Sequence, residues 1–255
     1  MATYTVKALH ISSPKNDRVE GELVPGVALK LLTKELKAEG SRVNEIRCAK
    51  ADATRMMEFY AMRNIPAESV MYEHGGKQVI LEKIKIFFGE SGTHFILSYS
   101  GHGCALTDGD NNKAGAWVFQ TGTKRFEELT LQEITDAWDN ARNGQGPRGL
   151  MIISDSCHSG ELVKQVNSMP RKDICIQAAC RAEQMSYWDT NGSVFTTRFV
   201  NATHKESTGK SVLNMLTFDL QYMFTSKYKK FTPISSRYSP SGFGEIVFFN
   251  SFAYM

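Results

Sequence analysis

Two short, largely apolar runs constrain this chain more than anything else in it: "HFILSYS" at 94–100 and "GLMIISD" at 149–155. Neither alternates cleanly between apolar and polar residues. A short unbroken run of this kind is a strand covered on both faces, as in parallel sheets whose connections run through helices. Each run then stops in small and polar residues. The first continues into "GHG" (101–103) and the second into "SCHSG" (156–160).

The rest of the chain supplies the matching elements. "TYTVKALHI" (3–11), "SVMYE" (69–73), "AGAWVF" (114–119), "DICIQAAC" (173–180) and "FGEIVFFNSF" (243–252) read as further strands. "VALKLLTKELKAEG" (27–40) has leucines at helical spacing and a closing glycine. Asp52 precedes a second helical stretch that Pro66 stops, and it suits a helix N-cap as well as any functional role. The segment 77–90 puts Val79, Ile80, Ile84, Phe87 and Phe88 on one helical face. Thr130 with Glu133 three residues on predicts a capping box opening the helix 129–142. "SVFTTRFVNAT" and 211–228 also read as helices. Alternation of strands and helices predicts an α/β fold with a mostly parallel central sheet and helices on both faces. The 255 residues suit one domain, 1–255.

In an open parallel sheet, ligands bind beyond the carboxyl ends of the strands. The two polar exits are therefore expected on one edge, with His102 and Cys157 together. A thiol is a nucleophile as its thiolate, so at neutral pH it gains from a neighbouring base. An imidazole can take that proton and later protonate a leaving amine. Gly101 and Gly103 leave room beside the ring, and the backbone N–H groups of Gly103 and Cys157 are candidates to hold an oxyanion. A buried Cys or His taken singly is more often a packing residue. His158, adjacent to Cys157, is a rival base but is expected to point elsewhere and to be structural or pocket-lining. A zinc site from His102, Cys104, Cys157 and His158 lacks the usual ligand spacing, so no metal site is assigned.

A His followed by a Cys 55 residues later, each in a short local pattern, resembles the caspase arrangement. "SYSGHG" and "DSCHSG" are similar to the two catalytic segments of metacaspases and related caspase-like proteins. "CAKADATRMM" (48–57), "QAACRAEQ" (177–184) and "FTPISS" (231–236) extend the resemblance over most of 48–250. It implies a caspase–haemoglobinase fold, against which 12–47 reads as a helical insertion; because the sequence begins almost directly with a strand, no pro-domain is expected. The resemblance also implies cysteine endopeptidase activity, with His102 as base and Cys157 as nucleophile. Metacaspases cut after Arg or Lys, and the resemblance places Asp52, Asp155, Ser100 and Cys48 in the pocket for that side chain. A buried guanidinium needs carboxylates around it. Lys164, Arg171 and Lys172 are then candidates for self-cleavage, in a segment that would otherwise be an uncut surface loop. The alternatives are a caspase-like scaffold or peptide-binding module without catalysis, and a peptidase that cuts after Asp.

No cofactor is expected to be required. Calcium activates several metacaspases, but the loop after the His strand offers only Asp108 and Asp110 and lacks the EF-hand pattern. The net charge of +3 is small, and its densest run, "SKYKK" (226–230), is short, so nucleic acid is not an expected partner. No apolar run is long enough for a membrane span and the N-terminus lacks a secretory pattern. Five cysteines at scattered positions suggest reduced thiols and a cytoplasmic location. The expected partners are protein or peptide substrates, and the expected state is a monomer.

Overall fold

The computed structural model describes residues 5–13, 42–72, 76–107, 113–122, 125–142, 148–186, 188–189, 191–202 and 234–235. The expected helices at 27–40 and 211–228, the strand at 243–252, the Lys-rich run and the loop carrying Asp108 and Asp110 lie outside these residues.

The parallel sheet expected from the sequence is present. Its strands are β1 (Val6–Ser13), β2 (Ala67–Met71), β3 (His94–Gly101), β7 (Gly149–Asp155), β8 (Ile174–Ala178) and β11 (Ile234–Ser235). They are ordered β11-β8-β7-β3-β1-β2, parallel except where β11 joins β8 antiparallel at the edge. β3 and β7 sit centrally and every residue in both is buried, which is why their sequences are so apolar. A second, antiparallel sheet is built from β4 (Gly103–Thr107), β5 (Lys113–Gly122) and β6 (Arg125–Thr130). Of these only β5 was expected. β9 (Trp188–Asp189) and β10 (Gly192–Ser193) form a small hairpin.

The helices are α1 (Arg42–Ala61), α2 (Gly76–Gly89), α3 (Leu131–Arg142), α4 (Gly160–Ser168) and α5 (Val194–Ala202). Strand alternation sorts the core into two layers. Leu9, Phe95, Leu97, Tyr99, Leu150 and Ile152 pack with residues of α2, α3, α4 and the antiparallel sheet. Ala8, Ile96, Met151 and Ile153 pack with Met56, Phe59 and Tyr60 of α1 and Phe195 and Phe199 of α5. Two expectations need correction. Asp52 is no N-cap: "RVNEIRCAKAD" contains no breaker, so α1 starts at Arg42 and Asp52 is interior to it. Val79 stands 53% exposed, because α2 buries only Ile80, Ile84, Phe87 and Phe88. The capping box is realised, with Thr130 N donating to Glu133 Oε2 at 2.9 Å and Glu133 N donating to Thr130 Oγ1 at 3.3 Å. Arg148 is buried with its guanidinium carbon 4.1 Å from the Phe95 ring centre and 5.0 Å from that of Trp138. It donates to the carbonyls of Phe88 at 2.8 Å and Ala141 at 3.3 Å, near the ends of α2 and α3.

One polar chain crosses the α1 layer. Tyr60 OH donates to Ser98 Oγ (2.9 Å), His10 Nδ1 lies 2.9 Å from Ser98 Oγ, His10 Nε2 lies 3.0 Å from Ser12 Oγ, and Ser12 Oγ donates to Ala49 O (3.4 Å). Ser98 has one proton and two acceptors in reach, His10 Nδ1 and, at 3.3 Å, Leu9 O. Donation to Nδ1, with the Nε2–H donating to Ser12, suits a neutral ring, and burial lowers the His10 pKa to about 3. The unfolded chain takes up a proton near pH 6.5, whereas the folded chain does not. This stabilisation is therefore complete above pH 6.5 and is lost as pH falls towards 3, by about 1.4 kcal/mol per unit. In urea unfolding at pH 7, 6 and 5, the stability gap between wild type and His10→Gln should narrow below pH 6.5 by that amount.

Candidate active site at the carboxyl edge of the sheet

β3 and β7 pair in parallel, with Ser100 opposite Asp155 at the last register position. His102 and Cys157 each follow two residues later, so both chains leave the sheet at the same edge. Their backbones meet there. A Cβ added to Gly103 would stand 2.3 Å from the carbonyl oxygen of Cys157 and 2.7 Å from Ser156 Oγ. Only glycine allows the residue after His102 to lie on the peptide of Cys157. His102 is 4% exposed and Cys157 8%.

Side chains from the other core layer fix this exit. Tyr99 OH is 2.9 Å from the carbonyl of His102 and 3.2 Å from that of Val118, and Val118 N donates to His102 O at 2.9 Å. The Tyr99 ring stacks on Trp117, with centroids 4.5 Å apart. Trp117 Nε1 donates to Ser154 Oγ (2.9 Å), which lies 3.1 Å from Ser156 Oγ. The two exits are thus held by one continuous set of contacts. Tyr99 and Trp117 carried no signal for this role beyond their aromaticity.

Beyond Cys157 the chain turns sharply. His158 takes a left-handed backbone with φ 57°, a conformation uncommon outside glycine. Its N donates to Gln184 O at 2.9 Å, and its Nδ1 is 2.8 Å from Ala182 O. A carbonyl only accepts, so Nδ1 carries the proton and the ring is committed to the 182–184 loop, as the structural assignment expected. Cys157 Sγ lies 3.9 Å from Ser186 O on the same loop. Burial pushes the Cys180 thiol up to about 11 and the Cys104 thiol up to about 12, so neither offers a thiolate at neutral pH.

The acidic residues converge beside this edge. Alternation puts Ser100 and Asp155 on the α1 side of the sheet. Asp52 Oδ2 accepts from Ser100 Oγ at 2.8 Å and Asp52 Oδ1 accepts from Ser193 N at 2.9 Å. Asp155 Oδ1 accepts from Ser186 Oγ at 2.8 Å, and Oδ2 accepts from Thr196 N at 3.0 Å and Thr196 Oγ1 at 2.6 Å. Ser193 also bonds Asp155 through its side chain, so it touches both acids. Arg55 Nη1 lies 3.6 Å from Asp52 Oδ1 and bonds Asn191 O. Gly192, at φ +116°, passes between Asp52 and Arg55 where no side chain would fit. Both acids are 1% exposed. Burial first, then the nearby Asp155 charge, raises the Asp52 pKa to about 7, and burial raises that of Asp155 as well. Cys48 is buried on α1 one turn before Asp52. The sequence did not reveal Ser186, Ser193 or Thr196. Ser193 was findable as the residue preceding an apolar helix: its Oγ accepts from Phe195 N at 3.1 Å.

The residues expected as self-cleavage sites lie away from this cluster. Lys164 belongs to α4 and pairs with Glu161 at 3.3 Å, and Arg171 is clasped by Asp139 and Asp173 at 2.7 and 2.9 Å. The segment preceding Lys172 is thus more ordered than a plain loop.

A parallel α/β sheet that delivers a Cys and a His to one edge is the architecture of a cysteine peptidase domain. The family follows from the sequence: the chain matches the model of the caspase domain over residues 41–240, and it belongs to that family. Among solved structures it is similar to a structural-genomics protein of Geobacter sulfurreducens. That match has a TM-score of 0.59 at 17% identity, over 93% of this chain and 95% of the other. No curated protein matches. No helix among the described residues is long and apolar enough to cross a membrane.

Gly103→Ala should destabilise the fold by about 1–3 kcal/mol through overpacking. Gly89→Ala, whose Cβ would meet nothing within 4 Å, should be neutral or stabilising by up to about 1 kcal/mol. Paired thermal melts of the two variants check this contrast.

Proposed function

We propose that this caspase-family domain is an endopeptidase of the metacaspase type that cuts proteins after Arg or Lys. The observation that carries the reading is the buried Asp52–Asp155 pair beside the Cys157 exit. A pocket floored by two carboxylates attracts a guanidinium or ammonium and repels an aspartate side chain. This separates the reading from cleavage after Asp.

Cys157 is the nucleophile and His102 the base. The imidazole takes the thiol proton as the sulfur attacks the peptide carbonyl. The oxyanion is held by backbone N–H groups, for which Gly103 and Cys157 are the candidates. The imidazolium then protonates the leaving amine, and water releases the acyl group from the thioester with His102 again as base. Ser100 and Cys48 line the specificity pocket with the two acids. Catalysis by these residues calls for no cofactor, and calcium stands as an activator to be tested. The enzyme acts as a cytoplasmic monomer. Self-cleavage at Lys164 requires a turn of α4 to unwind, and at Arg171 or Lys172 the ion pairs of Arg171 to open.

Fluorogenic peptides ending in Arg, Lys or Asp test the reading. Arg and Lys substrates should be cleaved at least 100-fold better than Asp substrates. Cys157→Ala should lose roughly 10⁴-fold or more of kcat. Asp155→Ala should lose roughly 30- to 1,000-fold of kcat/KM on the Arg substrate, the cost of removing one partner of a buried charge pair. Preferential cleavage after Asp overturns the specificity. Activity of Cys157→Ala equal to that of an active wild type overturns the nucleophile, and no turnover by either protein leaves the non-catalytic scaffold.

A further inference from the structure

The acidic pocket contains more negative charge than its surroundings balance. Asp52 and Asp155 are both buried, and among the described residues their partners apart from Arg55 are neutral: the hydroxyls of Ser100, Ser186 and Thr196, the amides of Ser193 and Thr196, and the Ser193 side chain. Among the described residues the one cation within ion-pairing distance of either acid is Arg55, at 3.6 Å from Asp52. Its side chain is 28% exposed, and it divides its bonding with Asn191 O. Two carboxylates facing one partly solvated guanidinium cannot both stay ionised cheaply in a buried site. Ser193 joins the acids into one unit, by its amide to Asp52 and its side chain to Asp155, so they titrate together.

From this geometry we infer that, with no substrate bound, the Asp52–Asp155 pair holds one proton, and that it releases the proton to solvent when a cationic side chain binds beside it. Substrate binding is then an exchange of a proton for a guanidinium or ammonium. The inference rests on the basic specificity proposed above and adds its pH linkage. The titratable and charged groups around the pair are Cys48 and Arg55 on α1, and His102 and Cys157 at the ends of β3 and β7. Cys180 beyond β8 feels the Asp155 charge, and Asp189 lies opposite Gly192 in the β9–β10 hairpin. The sign follows from the raised pKa of Asp52, about 7. Below that pH the pocket is protonated and a cation must displace the proton, so affinity weakens up to about tenfold per unit. Above it Asp52 is ionised and affinity levels off. A substrate with neutral citrulline in place of Arg has nothing to exchange.

The test is titration calorimetry on the Cys157→Ala protein, with an acetylated tetrapeptide amide ending in Arg. Running it at pH 6 and pH 8.5, in buffers of different ionisation enthalpy, counts the protons released. About one proton should leave at pH 6 and close to none at pH 8.5. The citrulline peptide should bind at least tenfold more weakly and release none. Asp52→Asn should bind the Arg peptide more weakly and change the number of protons released at pH 6, which separates the acid pair from His102. Buffer-independent heats at pH 6, with the Arg peptide still preferred over an Asp peptide, overturn the exchange and spare the specificity. An Arg peptide that binds no better than the Asp peptide overturns the specificity, and the exchange with it.

Discussion

The parallel pairing of β3 with β7 is the constraint on which the rest depends. Parallel strands need long crossovers, so two segments far apart in the chain come to lie side by side. Their side chains then alternate in step. Phe95, Leu97, Tyr99, Leu150 and Ile152 go to one layer, and Ile96, Met151 and Ile153 to the other. The same parity carries Ser100 and Asp155 to the α1 side, where Asp52 waits. A slip of one residue in this register would turn the acids into the opposite layer. The full burial of both strands leaves little freedom for such a slip.

The acid pair and its partners come from six segments that no local rule connects. Asp52 comes from the middle of α1, Ser100 from β3, Asp155 from the end of β7, Ser186 from the loop after β8, Ser193 from β10, and Thr196 from the first turn of α5. The amide of Thr196 offers Asp155 the positive end of that helix. Polar atoms this deep are tolerated because nearly every oxygen of the two acids already has a donor. The site is consequently built as firmly as the hydrophobic layers around it.

The degree to which the site could be read from sequence followed from range. Cys157 and His102 announced themselves because each closes an apolar run with small residues. Asp155 could be proposed because it sits within the same short stretch as Cys157. Asp52 was found through family resemblance, while its local setting was misjudged, since a carboxylate within a helix looks much like one at a helix start. The strands β4 and β6 escaped notice because antiparallel strands with half-buried, mixed residues resemble loops. The His10 chain was invisible, because a histidine in a strand gives no hint of the serines and tyrosine it will meet across the sheet. Tyr99 and Ser193 act through contacts that exist only after the chain has closed on itself.

Arg148 has a mechanical consequence. A single guanidinium, stacked on Phe95 and Trp138, binds the trailing carbonyls of two helices and ties both to the central strand. The ends of α2 and α3 therefore depend on one side chain. They are joined to β3 and to each other through it, so a disturbance at Arg148 would reach both helices at once.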